Sequence, residues 1–148
     1  MPDHSPVHAL VYISRSALGL TNAELEDTLA ASSARNRSLD VTGALLFDGL
    51  AFLQYIEGPE AAIATVFARV EASRRHSDIR VLARGQVDAR YFTRWSMACR
   101  HVDASMIQRL EASRWTDRAH PRLLAGSETN SGLGLLHAFW MQDPPVYG

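Results

Sequence analysis

The chain has 148 residues, 47% of them hydrophobic and 21% charged, with a net charge of −1 at neutral pH. That length and balance describe one ordinary globular domain, able to bury roughly 68–70% of its unfolded surface and so to build a core without covalent staples. The near-zero charge leaves no footprint for nucleic acid or an anionic membrane, Cys99 as the only cysteine excludes an internal disulfide, and the absence of lysine excludes lysine chemistry. The amino-terminal MPDHSPVHALVYIS reaches its short apolar run without a basic lead, and nothing reads as a signal peptide or a membrane span, so the cytoplasm is the expected compartment. The six histidines contain no His-x-His pair, and no metal site is expected.

Residues 7–14, VHALVYIS, read as a strand, followed by a turn around Gly19. Thr21 and Glu24 form a Thr-x-x-Glu capping box that opens a helix through about Asn36. On that helix the stripe of Leu25 and Leu29 continues to Ser32 and Asn36, so an inward face turns polar. Either Asn36 simply ends the helix, as asparagine often does, or the face looks onto a polar ligand.

VTGALLFDGLAFLQYIEG reads as two strands, about 41–47 and 51–57, joined by a hairpin at Asp48-Gly49. Alternation puts Phe52, Gln54 and Ile56 on one face of the second strand and Leu53 and Tyr55 on the other, so both faces are apolar apart from one amide. A buried carboxamide without partners costs about 1–3 kcal/mol, so Gln54 needs a protein group, a water or a ligand. Pro59 suits the first turn of a second helix, whose buried stripe is Ile63, Val66, Phe67 and Val70. IRVLARGQV and RWSMACR supply two further strands.

The order β-α-β-β-α-β-β predicts an α+β, ferredoxin-like fold with a mixed five-stranded sheet. Residues 1–102 form the core, and residues 103–148 a helical extension of the same unit. In that extension Asp103 can cap a helix carrying Met106, Ile107 and Leu110, a loop with Pro121 follows, and SGLGLLHAFWMQ forms a last helix with Leu136 and Trp140 on one face. Two helices cover only one face of a sheet that is apolar on both, so the carboxy-terminal helices are the expected cover of the second.

Several polar groups stand where apolar ones would be ordinary. A buried Tyr12 commonly just finds a partner for its hydroxyl, and Trp95 with Met97 can be a plain aromatic–thioether contact. Placed on one sheet, however, Tyr12, Gln54, Ser32, Asn36, Trp95 and Met97 offer hydroxyl, amide and indole groups beside an apolar slot. That set suits a flat heteroaromatic molecule whose edges need donors and acceptors and whose faces need hydrocarbon.

From about Ala9 to Met97 the chain resembles the BLUF domain, a blue-light sensor that uses a flavin. The resemblance rests on LVYISRS with its strand tyrosine, Ser-x-x-x-Asn at Ser32 and Asn36, VTGALLFDGLAFLQYIEG with its strand glutamine, RRHSDI, and the late RWSM. It implies a non-covalent flavin between the two helices, FAD first, with FMN or riboflavin as alternatives. Asn36 would bond the polar ring edge, Gln54 would bridge Tyr12 and the ring, Ser32 would support them, and Ile56 would lie beside the cofactor. On excitation Tyr12 would give an electron and then a proton to the flavin, and Gln54 would rotate or tautomerise. The red shift that follows would be small, and the segment of Trp95 and Met97 would pass the change to the carboxy-terminal helices.

The chain departs from that pattern at Arg35, where many relatives have His or Asn, and at Ser73, where Asp is common. Arg35 could stack on the ring or pair with the phosphate tail, and Arg75 and His76 could lie near the phosphate end. The resemblance implies no enzyme activity, a downstream effector protein as partner and a homo-oligomer. One alternative is an acylphosphatase-like hydrolase on the same fold outline, with Arg15 as its only near fit to an anion cradle. An RNA-binding sheet is disfavoured by the lack of an RNP-like run and of positive charge.

Overall fold

A computed structural model describes residues 6–16, 21–92, 99–116, 122–125 and 131–142. Strand β1 (Val7–Ser16) leads to helix α1 (Asn22–Ser38), the hairpin β2 (Thr42–Phe47) and β3 (Ala51–Gly58), helix α2 (Glu60–Ala72), strand β4 (His76–Val87), the short strand β5 (Cys99–His101), and helices α3 (Ala104–Ala112) and α4 (Gly132–Gln142). The five strands form one sheet in the order β4-β1-β3-β2-β5. All pairings are antiparallel except β2 with β5, so the sheet is mixed and the fold is the α+β, ferredoxin-like one expected. The expected turn at Gly19, the first part of the RWSMACR strand and Pro121 lie outside the described residues.

Local chemistry sets the element ends. The Thr21 hydroxyl accepts from the Glu24 backbone N–H at 3.1 Å, the N-cap bond of the expected box, and donates to the Glu24 carboxylate at 3.1 Å, so the carboxylate's return bond comes from the hydroxyl rather than from the backbone. The helix does not stop at Asn36: it runs to Ser38, with Leu39 as its cap, and Asn36 is 3% exposed. Pro59 stands one position outside α2, as its N-cap, and Asp103 is the N-cap of α3 without a side-chain hydrogen bond. In the β2–β3 hairpin the Asp48 carboxylate accepts from the Leu50 and Ala51 N–H groups, and Gly49 takes a left-handed φ of 101°.

Two cores flank the sheet. On one face Leu10, Tyr12, Leu45, Phe47, Phe52 and Ile56 meet Leu25 of α1 and Ala62, Ile63 and Val66 of α2. On the other, Val11, Leu46, Leu53 and Tyr55 meet Ile107 and Leu110 of α3, Trp115, and Leu133, Leu136 and Trp140 of α4. The second face is thus covered by the carboxy-terminal helices, because β3, at the centre, is apolar on both sides. Helix α1 differs from the rest: of its 17 residues only Leu25 and Asn36 are buried. An amphipathic helix sealed on a sheet buries a wider stripe, so α1 stands off and leaves space beneath it.

Candidate functional site

That space is a cavity of about 830 Å³, including its open mouth, bounded by α1, α2 and the central strands. Its polar floor comes from β1 and β3. Tyr12 and Gln54 are direct cross-strand partners, and the Tyr12 hydroxyl donates to Gln54 Oε1. Both are buried, Gln54 at 8% exposure. Burial pushes the Tyr12 phenol well above its ordinary value, so it stays protonated and able to donate.

The walls alternate hydrocarbon with polar edges. Leu25, Leu29, Leu45, Phe52, Val66 and Val70 supply apolar surface, while Ser32 and Asn36 project from α1. The sequence-predicted residues Tyr12, Gln54, Ser32, Arg35, Asn36, Arg75 and His76 all line this one cavity. Ile56 does not: it is fully buried in the core cluster on the same face and is absent from the lining, which β3 reaches at Phe52 and Gln54. Trp95 and Met97 lie outside the described residues.

His76 sits beside the photoactive pair that the resemblance implies. Its Nδ1 is 2.9 Å from Ser14 Oγ, and its ring centroid is 6.3 Å from that of Tyr12. Burial lowers its pKa below the usual histidine value, with a bond to the Val70 backbone pulling the other way. Two register shifts in the β1–β4 ladder, with Asp78 at a left-handed φ of 53°, bring His76 opposite Ser16 and onto the Tyr12 face.

Arg75 ties the two sides of the mouth together, donating to the Glu24 carbonyl at 3.3 Å and pairing with the Glu24 carboxylate at 3.5 Å. Both partners are substantially exposed, so this strap orders the rim more than it stabilises the fold. Sequence reasoning missed Arg69, which lines the cavity with Arg35 and Arg75. Its only sequence signal is its place three residues after Val66, on the edge of the α2 stripe. Arg15, the near fit to a hydrolase anion cradle, is exposed at the end of β1 and is not part of the lining.

An apolar slot with amide, hydroxyl and guanidinium groups at its edges fits an extended, flat, polar-edged ligand with an anionic tail. The donor set fits a phosphorylated flavin: amides for the ring edge, hydrocarbon for its faces, and arginines for phosphate. Among the described residues no group of three or more His, Cys, Asp or Glu could hold a metal, and no helix is long and apolar enough to cross a membrane.

Residues 7–98 match the BLUF family, described as sensors of blue-light using FAD. The chain belongs to the BLUF family. It is therefore a blue-light sensor domain with a flavin cofactor rather than an enzyme by family. The solved dark-state structure of the BLUF protein BlrB superposes with a TM-score of 0.63 at 34% identity, over 67% of this chain and 75% of that one. A bacterial light-regulated adenylyl cyclase gives a TM-score of 0.62 at 26% identity, over 72% of this chain but 32% of the cyclase.

Among curated relatives, photoactivated adenylate cyclase subunit beta of Euglena longa is 33% identical over 101 residues, 64% of this chain and 11% of the relative. The blue light- and temperature-regulated antirepressor BluF of Escherichia coli K12 is 34% identical over 74 residues, 50% of this chain and 18% of the relative. The chain thus matches a small part of longer proteins named for different outputs, a cyclase and an antirepressor.

Proposed function

We propose that this BLUF chain signals by switching the hydrogen bond between Tyr12 and Gln54 in response to light absorbed in the cavity between α1 and α2. The observation that carries the reading is that pair: a buried, protonated phenol donating to a buried amide, both facing the cavity. When bound, the flavin supplies blue-light absorption and an oxidising excited state. Tyr12 is the electron and proton source, because its hydroxyl keeps its proton and stands on the cavity wall. Gln54 is the switch, because a carboxamide can exchange donor for acceptor by rotating or tautomerising without changing charge. Asn36 and Ser32 hold the ring edge from α1, and Arg35, Arg69 and Arg75 hold the phosphate-bearing tail at the rim.

Output is by protein contact. Residues 1–102 act as the sensor, and residues 103–148 carry the change, by way of the segment with Trp95 and Met97, to an effector protein and within a homo-oligomer. The hydrolase reading has no comparable support, since Arg15 is outside the cavity. The test is the visible absorption spectrum of the purified protein before and after blue light, followed in darkness. An oxidised-flavin band that moves slightly red and recovers supports the reading. A protein that neither carries nor takes up flavin ends it.

A further inference from the structure

The second face of β3 carries a buried acid that the sensor reading does not use. Glu57 is completely buried, three residues after Gln54 and on the opposite side of the strand. Its Oε1 accepts from the backbone N–H groups of Tyr91 at 2.7 Å and Phe92 at 2.6 Å, and its Oε2 accepts from the Tyr55 hydroxyl at 2.8 Å. Every one of these bonds is donated to the acid, the pattern of an ionised carboxylate used as an anchor. Burial pushes the Glu57 carboxyl up, and the bonds from Phe92, Tyr55 and Tyr91 pull against that. Leaving such a group in a core has a cost, so its place calls for a role.

What the carboxylate grips is the chain that runs on to β5, and that chain leads to α4. The Phe92 ring meets Tyr55 at 5.3 Å, His137 at 5.8 Å and Trp140 at 5.9 Å between centroids. The Trp140 ring in turn lies 4.1 Å from the Arg100 guanidinium carbon of β5. A continuous packed path therefore runs from the residue next to Gln54 to the last helix. At its end the Trp140 indole N–H is buried and has no hydrogen-bond partner among the described residues. A buried donor left unmet is a cost to the present packing, which a shift of α4 that found it a partner would relieve.

We propose that the change at Gln54 leaves β3 on its opposite face, through Tyr55, Glu57 and Phe92, and reaches α4 at Trp140. Glu57 is a positioning residue here: it holds Tyr55 and the Phe92 backbone as one body, so a twist of β3 is delivered to α4 rather than absorbed in the loop. The route is additional to any that runs along the segment of Trp95 and Met97, and it rests on the light-sensor reading above.

The experiment is hydrogen exchange of the α4 amides, with flavin bound, in darkness and under blue light, for wild type, Phe92→Leu and Glu57→Gln. The absorption spectrum is recorded on the same samples. We expect the flavin red shift to be of wild-type size in both variants, while the light-minus-dark difference at α4 falls about threefold or more, the scale of a single-position coupling loss. A merely structural role would change exchange in both light and darkness and leave that difference intact. Phe92→Leu, which keeps the backbone bonds to Glu57, decides the matter if Glu57→Gln does not fold. A difference of wild-type size in the variants, or none in wild type despite a red shift, overturns the relay alone. A wild type with no red shift overturns the sensor reading and the relay with it.

Discussion

Tyr12 and Gln54 stand directly opposite each other on β1 and β3, and the hydroxyl of one donates to the amide oxygen of the other. Neither side chain is placed by a loop: both belong to central strands whose shared ladder runs unbroken through this pair, while the β1–β4 ladder shifts register beside Tyr12. The geometry is therefore as rigid as the sheet, which suits a switch that must change one hydrogen bond and little else.

Removing either partner separates binding from response. Gln54→Leu takes away the amide proposed to switch, and Tyr12→Phe takes away the hydroxyl proton, while both keep the apolar wall. We expect each variant to bind flavin and to lose the normal red shift under blue light, read by difference absorption. A normal shift in Gln54→Leu would overturn the role given to that amide.

Asn36 is the polar residue that α1 buries, and it lines the cavity. Asn36→Ala would delete the ring-edge contact proposed for this residue without a loss of helix propensity that would unfold α1, since alanine is the better helix former. Flavin affinity should weaken about tenfold, equivalent to about 1.4 kcal/mol, with an unchanged far-ultraviolet circular dichroism spectrum. Equilibrium titration of the flavin-free protein measures it.

Gly43 of β2 lies opposite Ile56 of β3, with no room for a side chain between the two backbones. A Cβ added there would collide with the Tyr55 carbonyl oxygen and lie 3.0 Å from the Ile56 Cα, both fixed backbone groups. Gly43→Ala should therefore destabilise the protein by about 1–3 kcal/mol, as overpacking of a core does. Thermal unfolding of the flavin-free protein checks this, and an unchanged midpoint would show that the ladder yields freely.

His76 gives the flavin-free protein a stability component that depends on pH. Its folded pKa lies below the ordinary 6.5, so the unfolded chain takes up a proton first as pH falls. The component is fully present above 6.5 and is lost as pH drops from there through the folded value. Glu57, with its raised pKa, acts with the opposite sign as pH rises above the ordinary 4.5, which is why the comparison needs a variant. Urea midpoints of wild type and His76→Asn, measured from pH 7.5 to pH 5.5, should converge as pH falls. Parallel curves would remove His76 from the account.

Much of this protein was fixed by its sequence alone. Alternation in FLQYIEG placed Gln54 on an otherwise apolar face, the Thr21–Glu24 box set the start of α1, and the two-faced hydrophobicity of β3 called for a second layer of helices. These are short-range facts, set by side-chain period and by capping chemistry within a few residues. The tertiary structure decided the rest, because it depends on which distant segments meet. Only the stand-off of α1 shows that Asn36 faces a cavity rather than ending a helix, and that Ile56 is sealed in the core while Phe52 and Gln54 reach the opening. Only the two register shifts between β1 and β4 bring His76 to Ser14, and only the fold brings the Glu57 carboxylate to the backbone of Phe92. A period in the sequence gives the face on which a side chain lies; the packing of elements far apart in the chain gives what lies opposite it.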